Sequence, residues 1–229
     1  VAHSYNYYPI GPQKAEDGVA QAVLGLGRMV VDGGESVRFS PRHPHVIPQF
    51  SSTAGILRNS QRNFYALDLK ARWDSTVEQD GNQEVVDLSR AKEDGTLAAV
   101  GSVYDPQNDA ISDGVNGDGP LLVTFNNILK HKIINLAPAL DELLQLITRG
   151  MGTPIELEYA CDMGDWGKPR RRGRPRKQPV LYLLQVRPIL VRENMRDFQV
   201  DQLHDEQIIC RTERCLGNGH SPAVAAIVL

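Results

Sequence analysis

Between Pro138 and Pro188 the apolar residues change their period from that of a helix to that of a strand, which confines the chain to folds that lay a helix on a sheet. Pro138 suits a first helical turn, because the N–H that it lacks has no partner there anyway. Leu140, Leu143, Leu144 and Ile147 then recur at i, i+3, i+4 and i+7 and form one apolar stripe. Arg149 complements the negative end of the helix and Gly150 suits the reversal after it, so the spacing predicts a helix over 138–149. Alternation then takes over. In a strand over 154–160, Ile155, Leu157 and Tyr159 share one face while Glu156, Glu158 and Ala160 share the other. A second strand over 180–187 lines one face with Leu181, Leu183, Gln185 and Arg187.

Further strands are expected at 63–69, 84–88, 97–104 and 121–125, with a polar, glycine-rich loop over 105–120. Near the start, Val19, Ala22, Val23, Leu26 and Val30 have helix-like spacing interrupted by Gly25 and Gly27, which predicts a short helix running into a glycine turn. Val30-Val31 and Val37 to Phe39 read as extended pieces around Asp32-Gly33-Gly34. Three prolines in Ser40 to Pro48 exclude a helix or a central strand and predict irregular surface, with His43 and His45 solvated. Tyr5, Tyr7 and Tyr8 read as packing on a sheet face in preference to stacking on a base. Strands on both sides of a strong helix, joined by uneven loops, indicate an α+β domain with a largely antiparallel sheet and packed helices.

The 229 residues are 41% hydrophobic and 23% charged, the balance of a globular chain and not of a collagenous or wholly disordered one. No apolar run approaches the ~18 residues that a membrane helix needs. Three cysteines, Cys161, Cys210 and Cys215, are too few and too odd for a disulfide framework, so the expected compartment is the cytoplasm. Seven of the 25 basic residues fall between Lys168 and Lys177, leaving 18 elsewhere against 28 acidic ones. The positive charge is local and the body is acidic.

The two late strands suit a hairpin in which Glu158 faces Gln185 and Arg187. Carboxylate and amide oxygens are ligands for the hard Mg²⁺ ion, and the guanidinium fork matches phosphate oxygens. Such a trio fits a Mg·nucleotide wall, although a cross-strand salt bridge on a solvated face has the same residues at the same spacing.

The sequence around the trio is more specific than the trio. Leu157-Glu158-Tyr159-Ala160 followed by Leu181-Tyr-Leu-Leu-Gln185-Val-Arg187-Pro188 resembles the end of the nucleotide-binding domain of the phosphoenolpyruvate synthase and pyruvate phosphate dikinase family. GLGRMVVDGG, Gly25 to Gly34, resembles that family's Gly-Leu-Gly-x-x-Val-Val-x-Gly segment, and VAHSYNYYP at the start resembles a strand that precedes it. The resemblance covers 1–190. It implies an ATP-grasp fold whose lobes hold Mg·ATP, and transfer of a phosphoryl group to a histidine on another domain of the same full-length chain, then to pyruvate or a similar acceptor. It assigns Glu158 and Gln185 to the metal and nucleotide, and Arg187 to the phosphate as the catalytic arginine. Arg28 departs from the pattern, since the family has Glu after Gly-Leu-Gly.

On this reading 1–190 is the C-terminal part of the nucleotide-binding domain, 191–207 a linker and 208–229 the start of a following domain, the whole being a piece of a longer chain incomplete at both ends. A degenerate, non-catalytic nucleotide-binding module is the first alternative, and DNA association through the loop 168–177 the less favoured second. The remaining motifs are set aside. Gly25-Leu-Gly27 has Val30 where a dinucleotide fingerprint needs its third glycine. Asp113 to Asp118 has Val115 where a calcium loop needs a ligand, and Cys210, Cys215 and His220 fit no common zinc spacing. KPRRRGRPRK, Lys168 to Lys177, resembles an AT-hook, whose arginines reach base edges in the A·T minor groove. In an acidic metabolic domain it reads as a solvated loop, and nucleic acid is not an expected partner. Fluorescence anisotropy with an A·T-rich duplex at moderate salt should therefore show no binding; an affinity that is lost when residues 168–177 are deleted overturns the solvated-loop reading, and one that survives the deletion does not belong to the loop.

Overall fold

In the computed structural model, residues 1–69, 82–166, 173 and 175–189 are described, all within a compact unit spanning Val1–Ile189. The expected linker, the following domain, Cys210, Cys215 and His220 lie outside the described residues. Chain order gives β1 (Ala2–His3), β2 (Val19–Ala22), α1 (Arg28–Val31), β3 (Val37–Phe39), α2 (Thr53–Asn59), β4 (Asn63–Leu67), β5 (Gln83–Asp87) and α3 (Leu88–Glu93). Then follow β6 (Gly101–Asp105), β7 (Ala110–Asp113), β8 (Leu121–Val123), α4 (Asn126–Leu129), α5 (Leu136–Met151), β9 (Ile155–Asp162) and β10 (Val180–Pro188). The fold is α+β, with a five-stranded sheet ordered β10-β9-β1-β2-β3, a β4-β5 pair and a three-stranded β7-β6-β8 sheet. Every named strand pairing is antiparallel.

Helix α5 carries the core. Leu136, Leu140 and Leu144 lie one turn apart and are buried, and the partly buried Leu143 and Ile147 flank them. This stripe shares a core with Ala2, Ala20, Phe39, Ile155 and Leu157 of the large sheet, and with Leu88, Leu97, Val123 and Leu129 from the other elements. The helix extends two residues beyond the expected span at each end: it starts at Leu136, so that Pro138 is its third residue, and Gly150 lies inside it while Gly152, at φ 67°, makes the left-handed reversal. Two of the shorter helices, α2 and α3, have side-chain caps: Ser52 Oγ accepts from the Gly55 N–H at 3.1 Å, and an Asp87 oxygen accepts from the Ser89 N–H at 2.8 Å.

Several expectations need correction: the strand expected over 97–104 begins only at Gly101, after a single helical turn over Leu97–Ala99. Residues 19–22 form a strand, not part of a helix; Val19, Ala20 and Ala22 are all buried, so the alternation that marks a half-buried strand is missing. Val30 and Val31 fall in the four-residue helix α1 instead of an extended piece. Within the polar loop 105–120 lies β7, whose exposed and half-exposed residues bear no apolar face. The Ser40 to Pro48 segment is irregular as expected, but His43 is not simply solvated. Its Nε2 lies 3.2 Å from Asp17, a carboxylate only 3% exposed, which also pairs with Arg42 at 3.1 Å and accepts from the Lys14 N–H at 2.7 Å. Arg42 reaches on to Asp141 of α5 at 3.5 Å, so the proline-rich loop is tied to the helix. Tyr5 and Tyr7 stack edge to face outside any strand, at 5.0 Å between ring centres.

The glycine turn after β2 is fixed by one buried amide. Gln61 is 2% exposed; its Oε1 accepts from the Leu24 N–H at 2.9 Å and its Nε2 donates to the Leu24 carbonyl at 2.8 Å, as a neighbouring strand would. Gly25 follows at φ 86°, and a Cβ there would stand 2.5 Å from the Tyr65 carbonyl oxygen, so this position requires glycine. Gln61→Ala leaves both Leu24 groups without that partner, at about 1–3 kcal/mol for each group that stays dry. Chemical denaturation should show a loss of that order, and an unchanged midpoint would mean that water replaces the amide.

Candidate functional site

Alternation on β9 turns Ile155, Leu157 and Tyr159 toward α5 and Glu156 and Glu158 to the opposite face of the sheet, as expected. The partner strand does not alternate strictly. Leu183 pairs with Tyr159, but the next pair is Gln185 with Glu158, so the register shifts by one at Leu184. This β-bulge re-aims everything after it. Leu181 and Leu183 stay on the helix side opposite Cys161 and Tyr159, whereas Gln185 and Arg187 join Glu158 and Glu156 on the outer face. The expectation that all four share one face of β10 is therefore wrong, and the bulge is the reason.

The three candidate residues do come together. Gln185 lies directly across from Glu158, and Arg187 across from Glu156. Arg187 Nη2 donates to Glu156 Oε1 and to Glu158 Oε1, both at 2.9 Å. Arg187 is 55% exposed, Glu158 38% and Glu156 27%, so the group is open to solvent. Glu156 was not among the candidates, although its place two residues before Glu158 puts it on the same face of any strand. On the far side of β9, His3 of β1 pairs with Glu156, its Nδ1 3.9 Å from Glu156 Oε2. The row His3, Glu156, Arg187 thus runs across three strands.

Burial pushes the His3 imidazole below its ordinary pKa of 6.5, against the pull of Glu156, with Arg38 adding to the lowering. Tyr159 is pushed far up by burial, and its hydroxyl donates to the Gln21 carbonyl at 2.9 Å, tying β9 to β2. Arg28, the departure in the glycine segment, is engaged locally. Its Nε lies 3.1 Å from Asp32, its Nη1 donates to Gln83 at 3.3 Å, and its guanidinium sits 5.3 Å from the Tyr65 ring centre.

As metal ligands, Glu158 and Gln185 supply two oxygens from adjacent strands, which suits an ion that keeps several waters and takes the rest of its shell from phosphate. Among the described residues no group of three or more His, Cys, Asp or Glu side chains is placed to hold a metal unaided. A second polar group surrounds Asp113, which accepts from Asn126 Nδ2 at 2.7 Å and from Ser102 Oγ at 3.2 Å and meets His131 Nε2 at 2.9 Å. Burial raises this carboxyl, but Asn126, His131, nearby Lys130 and Ser102 together outweigh it and hold it below 3.8. Ser102 is bonded to the carboxylate and to Thr124, not to the imidazole, so the set lacks the hydroxyl-to-histidine contact of a serine nucleophile. Of the basic insert, Arg176 and Lys177 are described; the Lys177 N–H donates to Asp165 at 2.9 Å at the base of the hairpin, and Lys168 to Arg172 and Arg174 lie outside the described residues.

Comparison with family models, with curated proteins and with solved structures gives no match. Among the described residues no helix is long and apolar enough to cross a membrane.

The His3 shift has a consequence for stability. The unfolded chain takes up a proton at the ordinary pKa, 6.5, and the folded chain only at lower pH, so between these values the unfolded state holds more protons. Stability should fall as pH drops below 6.5, and His3→Gln should flatten that part of a melting-temperature profile. An NMR titration midpoint for His3 at or above 6.5 overturns the assignment.

Proposed function

We propose that this chain supplies the ATP-binding, ATP-grasp-type lobe of a phosphotransferase resembling phosphoenolpyruvate synthase and pyruvate phosphate dikinase. One observation carries the reading: two oxygen-bearing side chains, Glu158 and Gln185, face each other across β9 and β10, with the Arg187 guanidinium 2.9 Å from Glu158 on the same open face. Glu158 and Gln185 would hold Mg²⁺, which when bound supplies positive charge against the triphosphate. Both Nη2 hydrogens of Arg187 are taken by Glu156 and Glu158, which leaves its Nε and Nη1 hydrogens for phosphate oxygens. Held so, the guanidinium opposes the charge that spreads over a phosphoryl group in transfer. The first acceptor is a histidine of a phosphohistidine domain elsewhere in the full-length chain, and the second is pyruvate or a similar small acid. The sparse cysteines, with Cys161 a free thiol, support a cytoplasmic setting.

Arg28 favours a second reading, a nucleotide-binding module without catalysis. The family's glutamate is replaced by a cation, and that cation is bound to Asp32 and Gln83.

The two readings separate when the full-length protein is incubated with Mg²⁺ and ATP labelled in turn at the γ and β phosphates. The expected result is acid-labile label on the protein that falls by about two orders of magnitude or more in Arg187→Ala, as when one charge-stabilising donor is removed from an active site, and is likewise lost in Gln185→Ala. ATP binding with no label in the unaltered protein overturns the phosphotransferase reading in favour of the binding module.

A further inference from the structure

Arg187 has one nitrogen committed to two carboxylates, and the two do not have the same task. Glu158 also faces Gln185 and, on the proposed reading, turns its oxygens to a metal ion. Glu156 faces Arg187 directly and has His3, not an oxygen ligand, as its other cross-strand neighbour. A cation on Glu158 competes with the guanidinium for the same carboxylate and repels it. An arginine held by Glu158 alone would then lose its anchor on the sheet as the site loads and be left with its phosphate contacts only.

From this we infer that Glu156 is a positioning residue: it keeps Arg187 on the outer face of the sheet when Glu158 releases it to bind metal. The inference rests on the nucleotide reading of the site. Its geometric basis is the pair of 2.9 Å contacts from a single Nη2, together with the register that places Glu156 opposite Arg187 and Glu158 one pair further along. Glu156 is also the less exposed of the two carboxylates, at 27% against 38%. The bulge at Leu184 is what makes the division possible. Had the strand alternated strictly, Leu184 would stand opposite Glu158, and Gln185 and Arg187 would face α5.

The test is NMR of the Arg187 guanidinium N–H groups in the full-length protein, assigned by their loss in Arg187→Lys, with Mn²⁺ binding in the presence of ATP measured in parallel by electron paramagnetic resonance. In the unaltered protein the guanidinium should stay restrained without ligand and with Mg²⁺·ATP. In Glu156→Gln it should be restrained without ligand, through Glu158, and on adding Mg²⁺·ATP keep only the phosphate contacts of Nε and Nη1, so that its Nη2 protons exchange with water faster than in the unaltered protein. Mn²⁺ affinity should drop by up to about five-fold, the ceiling for an open ion pair, and this drop should shrink when Arg187→Lys is added. Nη2 protons that stay as protected in loaded Glu156→Gln as in the loaded unaltered protein overturn the inference alone. So does an undiminished drop in the double variant, which would make Glu156 act on the metal directly. If the unaltered protein binds no Mn²⁺ with ATP, the nucleotide reading itself fails, and the inference with it.

Discussion

Ile155 and Leu157 have no exposed surface, and their burial under α5 is the constraint on which the large sheet depends. The strand that carries them lies between β10, its neighbour in sequence, and β1, more than 150 residues earlier. Ala2 pairs with Leu157 and with Ala20, so β1 is a two-residue strip of backbone joining two halves of the sheet. Closing so long a loop has an entropic cost that two residues of ladder do not offset. Apolar burial does, since Ala2, Ala20, Ile155, Leu157 and the α5 leucines fall in one core. The same burial fixes the register, and a slip of one residue would send Glu156 and Glu158 into the leucines.

What could be read from the sequence follows from this division between a dry and a wet face. Helix α5 and strand β9 each have one of each, so a period of 3.6 or 2 is visible in their side chains. Strand β2 is dry on both sides and short, and its alanines and valine fit either period. Strand β7 has no buried residue, and its Asp113 closes with Ser102 and Asn126 through polar bonds that leave no apolar trace. The fold class was legible because the elements with the strongest pattern are those that meet in the core.

The site was legible in its members but not in its arrangement. Glu158, Gln185 and Arg187 lie together because Leu184 is an extra residue in β10, and nothing in Val180 to Pro188 marks it: Leu183-Leu184 can place either leucine on the helix side. Glu156 carried its own signal, the same alternation that singled out Glu158, but a ligand pattern defined by Glu158, Gln185 and Arg187 gave it no task. His43 was missed for a different reason. Its partner Asp17 lies 26 positions earlier and is buried, and a proline-rich run says nothing about what it folds over.

An open carboxylate–guanidinium pair contributes little to stability, so the contacts of Arg187 do not by themselves hold the two strands together. A brace needs one carboxylate opposite the arginine, and Glu156 already stands there. The sheet face adds a second carboxylate to the same nitrogen and sets an amide oxygen across from it, which concentrates acceptor atoms and leaves the outward donors of the arginine open. That excess of acceptors over the needs of one cation is what a second cation would use, and the bulge that brings Gln185 and Arg187 to it costs β10 a register shift in the middle of its pairing with β9.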